Sequence, residues 1–295
     1  MRFHKSKALL AAVGLSMTLA ACGGGGSSTG SDHIEVTPAS NPSFAPGSTP
    51  DKLAKAGKIT IGVKFDQPGI GYKEPGADMP TGFDIEMGRM VAAGLGIPDD
   101  KINWKETISD NRENFIQNGT VDLVIASYSI TDDRRKEVGQ AGPYYVTGQQ
   151  LLVRKDNSTI KGPQDLKGAK VCSVEGSTSL QRVQDEYGAK PVPFGTYSEC
   201  VDQLKNKTVD AVTTDGAILA GYAAQDSDLK VVGQPFSEER YGIGYKKGDT
   251  QMCQYLNDTI QKSYDSGQWK SAFEATLGKA AGVKTPSQPK LDPCQ

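Results

Sequence analysis

The sequence predicts an α/β fold of two similar lobes, joined by two strands that cross between them. Three observations carry this. Residues 116–127 (IQNGTVDLVIAS) and 204–215 (LKNKTVDAVTTD), 88 positions apart, are identical at five of twelve places. Each reads as a helix end, a turn and a short apolar run of the kind that forms a buried parallel strand. Strand-like and helix-like segments alternate on either side of residue 150, the pattern of an α/β domain used twice. Polar residues also follow each apolar run at once: Ser127, Ser129 and Arg134 in the first lobe, Asp215 in the second. Ligands of open α/β sheets sit outside the carboxyl ends of such strands. One lobe offers a cation and the other an anion, the two halves of a clamp for a zwitterion.

The elements follow in order. Residues 58–65 alternate and are β-rich, predicting the first strand, and Pro68, Gly69 and Gly71 make the loop after it. Phe83, Met87, Met90, Val91 and Leu95 fall on one face of a helix. Residues 111–117 predict a short helix closed by Asn118 and Gly119, and residues 121–126 the next strand. Residues 151–154 predict the strand that leaves this lobe. The second lobe repeats the theme: strand 170–174, turn 176–178, helix 179–187, strand 191–194, helix 198–206, strand 209–214 and a helix from Ala217. Residues 241–245 predict the returning strand, and 252–264 and 269–277 the final helices. Two crossings of this kind permit closure of one lobe on the other.

The ends of the chain read differently. Arg2, Lys5 and Lys7 precede an apolar run, residues 8–21, that is too short to span a bilayer. The run ends Leu19-Ala20-Ala21-Cys22, which resembles the lipobox of bacterial lipoproteins. That resemblance implies cleavage before Cys22 and a diacylglyceryl group on its thiol; the alternative is an ordinary secretory signal. Residues 23–50 hold sixteen Gly, Ser or Pro out of 28, the composition of a flexible tether. Its reach is roughly 30 Å. Removing residues 1–21 takes away three basic and no acidic side chains, moving the net charge from −2 to −5. Nucleic acid is not the expected partner.

Four cysteines remain beside Cys22: Cys172, Cys200, Cys253 and Cys294. An even number in an exported chain predicts two disulfides, which allow three pairings. Cys172–Cys200 is favoured because both fall in the second lobe, leaving Cys253–Cys294 to tie down the C-terminal tail. Each adds about 3–4 kcal/mol in the loop-entropy description. The spacings do not suit zinc, and no metal or cofactor is expected. The two histidines, His4 and His33, lie outside the predicted lobes, which removes Ser-His-Asp and Cys-His catalysis.

Several motifs together, Gly82-Phe83-Asp84, residues 121–124 (VDLV), residues 127–134 (SYSITDDR), Pro143-Tyr144-Tyr145, Gly176-Ser177-Thr178 and residues 210–215 (DAVTTD), resemble the amino-acid-binding branch of bacterial ABC-transporter substrate-binding proteins. The likeness covers residues 53–278 and is greatest to the glutamate-binding lipoproteins of actinobacteria. It implies a periplasmic-binding-protein-like fold with the ligand in the cleft, a binder rather than an enzyme, and delivery to ABC permease and ATPase subunits. It places the chain, as a monomer, at the outer face of the cytoplasmic membrane, anchored through Cys22. Arg134 matches the arginine that grips the ligand α-carboxylate, a task suited to a planar guanidinium fork. Ser127 and Ser129 match positions that bind the same zwitterionic head. Gly176, Ser177 and Thr178 match second-lobe contacts before a helix, although Ser177 and Thr178 also suit an N-cap. Asp215 matches the carboxylate that pairs with the ligand ammonium. Lys64 falls where the family reads the ligand's variable end, and with Arg134 and Asp215 it complements glutamate or aspartate; Phe65 supplies an apolar wall. Glutamine binding, a cyclohexadienyl dehydratase-like enzyme and a sensor are the alternatives on this scaffold. The expected divisions are 1–21 signal, 22–50 lipidated cysteine and tether, 51–153 first lobe, 154–241 second lobe, 242–280 first lobe again, and 281–295 tail.

Overall fold

The computed structural model describes residues 33–280 and 283–294. The expected signal, the Cys22 lipidation site and the first part of the tether lie outside the described residues. The chain runs α1 (Thr49–Ala56), β1 (Ile59–Val63), β2 (Asp66–Gln67), β3 (Gly71–Tyr72), α2 (Phe83–Gly94), β4 (Ile102–Glu106), α3 (Arg112–Gln117), β5 (Leu123–Val124), α4 (Asp132–Glu137) and β6 (Gly139–Thr147). It continues β7 (Gln149–Arg154), β8 (Lys170–Val174), α5 (Thr178–Glu186), β9 (Lys190–Phe194), α6 (Tyr197–Lys205), β10 (Ala211–Asp215) and α7 (Gly216–Gln225). Last come β11 (Leu229–Val232), β12 (Glu239–Tyr245), α8 (Thr250–Asp265) and α9 (Gln268–Ala275).

Two five-stranded sheets result, ordered β4-β1-β5-β12-β6 and β11-β7-β10-β8-β9. In the first, β1 is parallel to β4 and β5, while β12 runs antiparallel to β5 and β6. In the second, β8 is parallel to β9 and β10, while β7 runs antiparallel to β10 and β11. The duplicated segments do the same work twice. Gly119 and Lys207, aligned with each other, both take left-handed backbone, at φ 74° and 62°. The shared aspartates act alike too: Asp122 Oδ2 accepts from Thr60 N–H, and Asp210 Oδ2 from Lys170 N–H, each at 2.8 Å. Each carboxylate binds the central strand to its parallel neighbour, which accounts for that identity on structural grounds.

The lobe boundaries differ from expectation. Residues 151–154 belong to β7, whose backbone pairs with β10 and β11, so they lie within the second sheet. The outward crossing is residues 147–149, where β6 passes to β7 at Gly148. The return is residues 233–238. These crossings lie against each other: Gln149 N–H donates to Ser237 Oγ (3.0 Å), and Phe236 N–H to Gln149 O (3.0 Å).

Residues 33–48 are not a free tether. Ile34, Val36 and Phe44 pack against the first-lobe core, and Phe44 meets Tyr255 edge-on at 5.4 Å. Ala39 N–H donates to Ala93 O, and Arg89 Nη1 to Ile34 O, both 2.8 Å. Three spaced apolar side chains with satisfied backbone bonds outweigh the Gly/Ser/Pro composition. At the other end, both expected disulfides are present, Cys172–Cys200 and Cys253–Cys294. The tail is held by more than its cysteine, since Asp292 accepts from Arg135 (2.7 Å) and Arg240 (2.6 Å).

Candidate functional site

The carboxyl ends of β5 and β10 face each other across a narrow cavity of about 10 Å³, room for about one water. Its wall includes Ser127, Ser129, Arg134, Ser177, Thr178 and Asp215, six of the nine expected ligand residues. Arg112 and Tyr197 line it as well, without having been picked out from the sequence.

The first-lobe wall is braced from below. Ser127 turns the chain at φ 44°, a conformation that non-glycine residues seldom hold without support. Support comes from Asp84, whose carboxylate accepts from Ser127 N–H (2.7 Å) and Tyr144 OH (2.6 Å). Burial pushes Asp84 up to about 6 against these bonds. The aspartate of the Gly-Phe-Asp motif thus shapes the strand end rather than lining the cavity.

Arg134 stands in α4, started by Thr131, whose Oγ1 accepts from Arg134 N–H (3.2 Å). Its guanidinium donates to Ser129 O and to Gly176 O, both 2.8 Å, and Nε lies 3.3 Å from Glu113 Oε1. Burial, then the charge of Arg112, lowers Arg134 to about 10. Arg112 donates to Ser109 O (3.1 Å), to Ala126 O (3.2 Å) and Ser127 O (3.3 Å), and to Gly176 O (3.1 Å). Both guanidinium groups lie over the Tyr128 ring, at 4.5 Å for Arg112 and 5.0 Å for Arg134. Two like charges are thereby held together by a ring face and a shared carbonyl. The shared carbonyl is that of Gly176, expected as a ligand contact but absent from the cavity lining. Its φ is 71°, and an added Cβ would lie 2.8 Å from Asp110 Cα of the first lobe.

On the second-lobe wall, Ser177 caps α5 by accepting from Leu180 N–H (3.0 Å), so it serves as cap and lining together. Thr178 Oγ1 donates to Glu239 Oε2 (3.0 Å). Asp215 takes the N-cap position of α7 without capping it with its side chain. Instead it accepts from Tyr241 OH (2.6 Å), and burial, then Glu239, raises it to about 7.

Lys64 and Phe65 are off the wall. Lys64 is buried, with Nζ donating to the cavity-lining Ser109 Oγ (2.9 Å), so it sits one side chain behind the surface. Burial, then Arg112, lowers it to about 7. Phe65 carries Lys73 Nζ over its ring at 5.3 Å. Arg112 was not legible: it lies four residues before Ile116, on the buried face of α3, where an arginine reads only as a polar helix start.

The family model of bacterial extracellular solute-binding proteins, family 3, matches residues 59–279. The glutamate-binding protein GluB of Corynebacterium efficiens is 40% identical over 239 residues, 77% of this chain and 81% of its own length. The ABC transporter glutamine-binding protein GlnH of Bacillus subtilis is 36% identical over 219 residues, 74% of this chain and 80% of its own. Among solved structures, an ancestral arginine-binding protein bound to arginine superposes with a TM-score of 0.69 at 34% identity, covering 77% of this chain and 99% of that one.

Proposed function

Since the chain belongs to the bacterial extracellular solute-binding proteins of family 3, and is a solute-binding protein rather than an enzyme, we propose that it captures an acidic amino acid, L-glutamate foremost, outside the cell membrane. It works as a monomer, held to the membrane through lipid on Cys22, and passes the ligand to ABC permease and ATPase subunits. The observation that carries this reading is the charge of the cavity wall. Its charged side chains are Arg112, Arg134 and Asp215, a net of one positive charge. Glutamate and aspartate bring two carboxylates and one ammonium, the complementary set, whereas glutamine brings no net charge. Lys64, behind Ser109, adds to the pull on a second carboxylate. In this reading Arg134 and Arg112 take the α-carboxylate in place of the Gly176 carbonyl, Ser127 and Ser129 hold the same head, and Asp215 takes the ammonium. Ser177 and Thr178 close from the second lobe, where the start of a helix favours an anion.

The test is uptake. Deleting the gene should abolish high-affinity entry of labelled L-glutamate, and the wild-type chain should restore it. Arg134→Ala should not, because breaking a buried charge pair costs about 3–5 kcal/mol, at least a hundredfold in affinity. Undiminished uptake in the deletion strain, or a loss below fivefold in Arg134→Ala affinity, contradicts the assignment.

A further inference from the structure

A hairpin from the first lobe reaches across the cleft beside the cavity. It is β2 and β3, paired Asp66 to Tyr72 and Gln67 to Gly71. At its base Asp66 meets the second lobe. The Asp66 carboxylate accepts from the backbone N–H of Tyr197 (2.9 Å) and of Ser198 (3.3 Å), the first residues of α6. Those amides have no partner inside the helix, and the positive end of the helix dipole favours a carboxylate there. Tyr222 of α7 donates its hydroxyl to the Asp66 carbonyl oxygen (2.5 Å). Gly221 then lets α7 approach the hairpin, since a Cβ at that position would collide with the Pro68 carbonyl. Asp66, Tyr222 and Gly221 do not line the cavity, yet Tyr197, the partner of Asp66, does.

We propose that Asp66 is a positioning residue for ligand capture: beside the helix's own N-cap Thr196 it adds a second cap to α6 from the opposite lobe, and so holds the cleft shut and Tyr197 in the wall. This rests on the reading of the cavity as an amino-acid site. The joint forms between lobes, so it exists in the closed arrangement and breaks on opening. Its free energy therefore falls on the escape of ligand, not on its entry. Asp66 also acts on the charge of buried Lys64, and the experiment separates the two roles.

The experiment measures association and dissociation rates by stopped flow for wild type, Asp66→Ala, Asp66→Asn and Tyr222→Phe, with L-glutamate and with L-glutamine. Melting of each ligand-free variant checks the fold. Asp66→Ala should dissociate at least tenfold faster from both ligands with association within twofold of wild type. Asp66→Asn keeps an acceptor oxygen and should recover part of the loss, and Tyr222→Phe, which removes no charge, should also speed dissociation. A dissociation rate within twofold of wild type overturns the proposal, as does a loss carried by association. A loss confined to L-glutamate overturns it as well, because it assigns Asp66 to Lys64 and not to closure. If wild type binds neither ligand, the amino-acid reading falls and takes the joint with it; binding by wild type with an unaffected Asp66→Ala removes the joint alone.

Discussion

Asp215 is the residue on which a pH dependence should turn. Its carboxylate is buried against Tyr241, with Glu239 adding a like charge, and stands at about 7. Pairing with a ligand ammonium requires the ionised form, so protonation competes with the ligand as pH falls through 7. Lys64, also at about 7, loses its charge as pH rises through the same point, which weakens the pull on a second carboxylate. Affinity for L-glutamate should therefore peak near neutrality and fall severalfold by pH 5.5, with up to a tenfold change per pH unit where one proton is linked. Asp215→Asn should bind weakly and lose the acid limb. Calorimetric titrations between pH 5.5 and 8.5 check this, and a flat wild-type profile contradicts it.

At the scale of elements, Gly176 brings the second lobe close against Asp110 of the first. Alanine there meets two penalties: left-handed backbone, about 1–2 kcal/mol for a residue with a Cβ, and collision with Asp110 when the lobes meet. Gly176→Ala should weaken binding at least tenfold while the ligand-free protein melts within a few degrees of wild type. Unchanged affinity contradicts the close approach. The central strands and the longer helices were legible because buried parallel strands and amphipathic helices carry strong periodicity, whereas the short α1 and α4 were not assigned. The strands that went unassigned, β2, β3, β4, β6 and β11, all lie at sheet edges, β2 and β3 as the two strands of the hairpin. Edge strands tolerate interruptions, as β6 does with Pro143 inside it. The six expected residues that line the cavity were legible as short motifs. Arg112 was not, since its burial depends on Tyr128 and Gly176, contacts that local spacing cannot reveal.

Across the whole molecule, the first lobe is the body that gathers both described ends of the chain. The strap of residues 33–48 crosses α2, and the tail returns to α8 through Cys253–Cys294, so both described ends of the chain are fastened there. The second lobe joins it through the crossings at residues 147–149 and 233–238, with Cys172–Cys200 stiffening it internally. This arrangement suits a lobe that swings about two adjacent strands and closes on a ligand whose charges span the gap. The central claim is that the ligand is acidic. Calorimetric titration of the chain from residue 23, at neutral pH, with L-glutamate, L-aspartate, L-glutamine and L-arginine tests it most directly. Micromolar or tighter binding of L-glutamate is expected, with L-glutamine at least a hundredfold weaker. The Lys64→Ala variant should lose much more affinity for L-glutamate than for L-glutamine. Equal or tighter binding of L-glutamine or L-arginine by the wild-type chain would contradict it.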